Sequence, residues 1–230
     1  MSQIIAESAT AGVVISLLAY EIGIVLKNKF KLAVFNPLLI AIILTIGVLT
    51  ICRVDYEAYN TSAKYLSYLL TPATVCLAIP LYQKMELLRE NVWAIIGGIL
   101  SGVLSSLCCV LVMAFVFGLS HEEYVTLLPK SITTAIGMGV SEELGGYVTI
   151  SVAVIIITGV LGNMSADFIC RIFRIRSEIS KGLAIGTASH AIGTARAMEM
   201  GETEGAMSGL AIVVAGLCTV VGASVFASFL

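Results

Sequence analysis

From Val92 to Gly118, and again from Ala206 to Phe229, the chain runs without one charged side chain. A helix needs about twenty apolar residues to cross a hydrocarbon core roughly 30 Å thick, so stretches of this kind fix the solvent before any other argument begins. Four further apolar runs read as crossings of the same sort: Ala9 to Leu26, Pro37 to Ile51, Tyr65 to Leu81 and Tyr147 to Phe168. Mean hydropathy is +1.01 and 58% of residues are hydrophobic, above the roughly 45–50% of soluble domains. No ten-residue alternation suggests a lipid-facing barrel. The expected fold is all-α. It is a single polytopic membrane domain over residues 1–230 with about six to eight transmembrane segments, some of them broken or re-entrant, and with inverted-repeat halves at about 36–118 and 127–230.

Charge locates the two faces. Lys27, Lys29 and Lys31 form one basic loop and Arg171, Arg174, Arg176 and Lys181 another, so both are expected in the cytoplasm, with Lys84 and Arg89 as a weaker third marker. The turn with His121, Glu122 and Glu123 has no Lys or Arg and is expected outside. The opening segment MSQIIAESATAG lacks a positive n-region and a cleavage site, so the first apolar run is expected to stay as a helix. A net charge of −2 without a Lys/Arg-rich arm argues against nucleic acid as a partner. The six cysteines are scattered through apolar runs without zinc or redox spacing and read as small hydrophobes, and neither metal nor cofactor is expected.

Two segments fit neither crossing nor loop. Leu127 to Gly146 and Gly182 to Met200 are rich in Gly, Ser and Thr and carry charge, yet are strongly apolar. If Val92 to Gly118 exits at the acidic turn and Tyr147 to Phe168 returns to the basic loop, Leu127 to Gly146 begins and ends outside. That parity favours a re-entrant hairpin, which needs a polar cavity to satisfy its backbone; a surface loop is the alternative. Pro72 and Pro80 both fall in the run Tyr65 to Leu81 and should kink or break it. Gly137 and Gly193 are expected breaks in the two unclear segments. The strings LLTPATVCLAIP and LLPKSITTAIGM match loosely, and paired interrupted segments point to a transporter with a site near the midplane.

An ionisable group at bilayer depth is unfavourable by at least ~2.5 kcal/mol, so the polar residues of these segments are the candidates for function. Ser189, His190 and Thr194 would donate to a small anion, Arg196 would pair with its carboxylate, and His190 has the titration range to carry a coupling proton. Lys130, Ser131, Thr133 and Thr134 form a second substrate-binding set, and Thr71 and Thr74 beside Pro72 a third. A blander reading has Arg196 and Glu199 as a surface pair, His190 satisfied internally and Lys130 snorkelling to the interface. Glu199, Glu202 and Glu204 read as a solvated turn, with Thr203 capping the last helix.

Four stretches together resemble the LrgB/CidB family of bacterial membrane proteins over nearly the whole chain: NPLL (Asn36 to Leu39), TPATVCLAIPLYQ (Thr71 to Gln83), LPKSITT (Leu128 to Thr134) and ASHAIGTARAMEMGETEGAMSGLA (Ala188 to Ala211). One departure is Ala135, where many relatives are expected to carry proline. The resemblance implies a multi-pass protein of the bacterial cell membrane, antiholin-like, which modulates murein hydrolase export and autolysis beside a smaller holin-like partner. Plastid relatives act as glycolate/glycerate translocators, and bacterial members are linked to pyruvate handling. The leading expectation is a carrier for small monocarboxylates by alternating access at a midplane site; the alternative is the antiholin-like regulator. An enzyme is not expected, because no nucleophile–base pair or metal-ligand spacing stands beside the lone His190. A homo-oligomer is the expected assembly.

Overall fold

The computed structural model describes residues 8, 10–30, 35–76 and 78–230, the side chains of 70, 71, 74, 78, 80 and 81 excepted. Among the described residues there are helices and no strands, and four helices are long and apolar enough to cross a membrane: Ala11–Phe30, Val92–Phe117, Val148–Ile172 and Glu202–Phe229. The protein is an all-α polytopic membrane protein. Its contacts divide it into two compact units, residues 1–76 and 77–230.

The first unit holds α1 (Ala11–Phe30), α2 (Pro37–Cys52), α3 (Tyr56–Ala63), a 3-10 segment (Lys64–Leu69) and α4 (Leu70–Cys76). Asn36 caps α2, its Oδ1 accepting from the backbone of Leu38 and Leu39 at 2.9 and 3.2 Å, with Pro37 pre-set for the first turn. Ser62 accepts from the Gly12 N–H at 2.7 Å, and Ser16 meets Tyr59 at 2.7 Å, so α3 is tied to α1 by hydroxyls. The run Tyr65 to Leu81 starts in the 3-10 segment and continues in α4; its part beyond residue 77, which is outside the described residues, lies in α5 (Ala78–Gln83). Pro72 lies inside α4, and the side chain of Pro80 is outside the described residues.

The second unit continues with α6 (Met85–Glu90), α7 (Val92–Phe117), α8 (His121–Leu127), α9 (Thr134–Glu143), α10 (Val148–Ile172), α11 (Glu178–Met200) and α12 (Glu202–Phe226). On α7, Ile95, Ile99, Val103, Leu107, Val110 and Ala114 recur every three to four residues and are buried, while Leu100, Leu104 and Phe115 on other faces are exposed, as lipid-facing side chains should be. α12 packs with small residues instead. A Cβ on Gly182 would come within 2.7 Å of Met207 Cβ, and one on Gly186 within 2.8 Å of Ala211 Cβ, so this Gly-xxx-Gly pair lets two backbones approach where lipid supplies no hydrophobic drive.

Leu127 to Gly146 is a re-entrant hairpin. α8 starts at a capping box between Ser120 and Glu123; the chain reverses through 128–133, and α9 leads back. The ends of the hairpin close on each other: Tyr147 donates its phenol to Glu122 at 2.7 Å and its N–H to Thr126 Oγ1 at 2.7 Å, while Ser151 donates to the Thr126 carbonyl at 2.8 Å. Its tip reaches Ser106, eleven residues back from Phe117, or about 16 Å along the α7 axis and near the middle of that helix.

α11 is a second hairpin, entering from the opposite end. His190 leaves helical geometry (φ 42°, ψ −141°), and the chain reverses there. Before the reversal Lys181 pairs with Glu204 at the start of α12 (3.5 Å); after it Arg196 bonds Asp167 near the end of α10, and Met200 leads directly into α12. Both limbs therefore begin and end at the side that carries Lys84, Arg171 and Lys181. The other side carries His121, Tyr147 and Phe226, whose carbonyl accepts from Tyr124 at 3.0 Å. The basic and acidic turns thus separate to opposite ends of this unit, as charge parity requires.

The breaks fall elsewhere than the glycines suggested. Gly193 lies inside the returning limb and Gly137 inside α9, whereas the reversals occur at His190 and between Lys130 and Thr133. The glutamate turn is solvated at Glu199 and Glu202, both exposed, but not at Glu204, which is 4% exposed and paired with Lys181; the residue that caps α12 is Gly201, not Thr203.

Candidate functional site

The tips of the two hairpins meet at a cavity of about 590 Å³. The first hairpin contributes Lys130 and Ser131, and the second Thr187, Ala188 and Ser189. Gly98, Ser101, Gly102 and Ser106 come from α7, and Thr158 and Gly162 from α10. Ala94 and Ser180, in the first turns of α7 and α11, also line it, so the cavity extends from helix mid-depth to the basic end of the unit. In the first hairpin Tyr124, Leu128 and Ile132 are buried in the hydrophobic core.

Two features give this cavity its chemistry. Lys130 Nζ donates to Ser106 Oγ at 3.0 Å and to Ser131 Oγ at 2.9 Å, and among the described residues it forms no ion pair. Its charge is therefore solvated by hydroxyls and left uncompensated. Thr187 is 7% exposed, and its Oγ1 is the buried side-chain atom without a hydrogen-bond partner among the described residues. A buried hydroxyl left unmade is unfavourable by about 1–3 kcal/mol, so a group from outside the chain is the natural partner.

Small residues keep the space open. A Cβ on Gly102 would sit 2.7 Å from Thr187 Cγ2, and one on Gly162 would collide with the Ser189 hydroxyl, so α7 and α10 approach the second hairpin only because these positions lack side chains.

The family profile that matches this chain, the LrgB-like family, covers residues 16–229. The chain belongs to the LrgB-like family. Relatives include the antiholin-like protein LrgB of Bacillus cereus (strain B4264), of Bacillus cereus (strain AH187) and of Bacillus anthracis (strain A0248), each 38% identical over 220 residues, 95% of this chain and 96% of the relative. No solved structure matches it.

In this LrgB-family chain, three of the residues expected from the sequence to bind substrate converge on the cavity: Lys130, Ser131 and Ser189. Of the others, the five whose side chains are described stand apart from it. His190 is 2% exposed and turned toward α10, its Nε2 bonded to the Ile155 carbonyl at 3.0 Å, an arrangement that places the ring proton on Nε2. Thr194 donates to the His190 carbonyl at 3.0 Å and meets Ser208 at 2.7 Å. Arg196 holds Asp167 and Glu199 at the basic end. Thr133 and Thr134 begin α9 without lining the cavity, and the side chains of Thr71 and Thr74 lie outside the described residues. Ser106 and Thr158 were not among the expected residues. A single hydroxyl in a long apolar helix carries no local signal; only the partner brought up by the fold gives it a role.

Proposed function

We propose that this chain performs the antiholin-like role for which its relatives are named, in the bacterial cytoplasmic membrane beside a holin-like partner, and so modulates murein hydrolase export and autolysis. We further propose that it acts as a carrier, binding a small monocarboxylate such as glycolate, glycerate or pyruvate in the inter-hairpin cavity and passing it by alternating access. The first reading is the more directly supported, by 38% identity along almost the full length of proteins bearing that name.

The second reading is carried by one observation: among the described residues, an ammonium at helix mid-depth hydrogen-bonds only to hydroxyls and shares its cavity with a buried hydroxyl that has no partner. Such a charge is unfavourable in a membrane unless something compensates it, and intramembrane ionisable residues without an internal counter-ion mark solute paths. One carboxylate would neutralise Lys130, and a neighbouring 2-hydroxyl or 2-oxo group would suit Thr187. Interrupted helices meeting near mid-depth are the form such sites take in carriers.

The experiment is uptake of labelled glycolate and pyruvate into proteoliposomes, with and without a proton gradient. Wild-type protein should accumulate label, and Lys130→Gln should reduce uptake at least about tenfold, the equivalent of 1.4 kcal/mol. Absence of uptake under every gradient, together with co-purification of a holin-like partner, would leave the antiholin-like role without transport.

A further inference from the structure

A second concavity, of about 380 Å³, lies where α10 ends and both limbs of the second hairpin begin and end. Arg171, Arg174, Arg176, Lys181, Asp167 and Met200 line it. Two of its charges are already balanced: Asp167 is held by Arg196, and Lys181 by Glu204. Arg171, Arg174 and Arg176 form no ion pair among the described residues, so three guanidinium groups converge on one hollow without a counter-charge.

Topology alone does not account for this. The preference for basic residues in cytoplasmic loops counts lysines and arginines but does not gather them around a cavity. Arg174 moreover occupies a left-handed backbone position (φ 54°) just after α10, where the Arg174 N–H bonds the Arg171 carbonyl at 3.2 Å and the Ile175 N–H bonds the Cys170 carbonyl at 2.8 Å. That place favours glycine or asparagine, so the arginine is kept against its backbone preference.

Beside the hollow, Phe168, Ile172 and Phe173 are exposed on the final turns of α10. Guanidinium forks match phosphate oxygens bidentately, and an adjoining apolar face at the end of a membrane crossing suits acyl chains. We propose that this hollow is a binding site for the headgroup of an anionic phospholipid, with the phosphodiester on Arg171, Arg174 and Arg176 and the acyl chains along Phe168 and Ile172. The apolar face is what favours a lipid over free phosphate, which has no use for it. Basic hollows between membrane helices at the cytoplasmic side are a recurrent form of headgroup site.

The test is native mass spectrometry of the detergent-purified full chain titrated with phosphatidylglycerol and, separately, phosphatidylcholine. The wild type should retain phosphatidylglycerol preferentially, and Arg171→Gln, Arg174→Gln and Arg176→Gln should each weaken retention about fivefold. Arg174→Gly is the decisive variant, because it relieves the left-handed backbone and so should fold at least as well while losing the same affinity. Equal retention of the two lipids, or undiminished phosphatidylglycerol binding by Arg174→Gly, overturns the proposal. Displacement of phosphatidylglycerol by millimolar inorganic phosphate would assign the hollow to a soluble anion and overturn it as well.

Discussion

Gly102 of α7 and Thr187 of the second hairpin meet so closely that a Cβ on the glycine would lie 2.7 Å from the threonine Cγ2. The methyl of Thr187 therefore serves packing, while its Oγ1 bonds nothing among the described residues. The two halves of one side chain can be separated experimentally.

Thr187→Val keeps the shape and removes the hydroxyl. Because a buried unsatisfied group is lost, thermal stability should hold or rise by up to about 1 kcal/mol. If the hydroxyl binds the solute, KM for carboxylate uptake should rise about three- to tenfold, the worth of one hydrogen bond of 0.5–1.5 kcal/mol. Thr187→Ser should keep the affinity. A valine variant that is less stable yet transports normally would assign Thr187 to packing alone.

The break at His190 depends on room beside Gly159. A Cβ there would lie 2.7 Å from His190 Cε1, 2.8 Å from its Nε2 and 2.9 Å from Ile192 Cβ. Gly159→Ala should disturb the bond to Ile155 and destabilise the protein by about 1–3 kcal/mol through overpacking. Gly97→Ala, with nothing within 4 Å, is the control and should be neutral or stabilising by up to about 1 kcal/mol. Melting curves of the two variants in one detergent would compare them directly.

The clamp at the mouth of the first hairpin should respond to alkaline pH. Acceptance by the Glu122 carboxylate holds the Tyr147 phenol above its ordinary range. A group whose folded pKa is raised stabilises the fold below its unfolded pKa, roughly 10 for tyrosine, and that contribution is lost as pH rises through the folded value. Tyr147→Phe should be less stable than wild type near neutrality and converge with it above about pH 10. A difference that persists unchanged at high pH would show that the phenol–carboxylate bond contributes nothing.

The membrane class, the separation of basic and acidic turns to opposite ends of the second unit and the first hairpin were legible in the sequence, because each rests on quantities that a local window carries: run length and charge parity. The cavity was legible only in part. Lys130 and Ser189 stood out as polar groups in apolar company, but Ser106 and Thr158 acquire meaning only from tertiary neighbours 24 or more residues away. Arg196 shows the converse. Its charge drew attention, yet the fold supplies Asp167 from α10, 29 residues earlier, a pairing no helical spacing announces. The run Pro37 to Ile51 became the 16-residue α2, and Tyr65 to Leu81 opens in a 3-10 segment before turning α-helical, because hydrophobicity reports where a segment can be buried and not which helix its backbone forms.

The half-depth reach of Lys130 also bears on how the chain is made. A hairpin with an ammonium at its turn and limbs too short to span has no stable residence in lipid by itself, since neither its charge nor its open backbone groups find partners there. Ser106 is synthesised before it, but α10 and α11 emerge only afterwards. Such a hairpin depends on the helices around it: the cavity that receives its tip is complete only once α10 and α11 are in place.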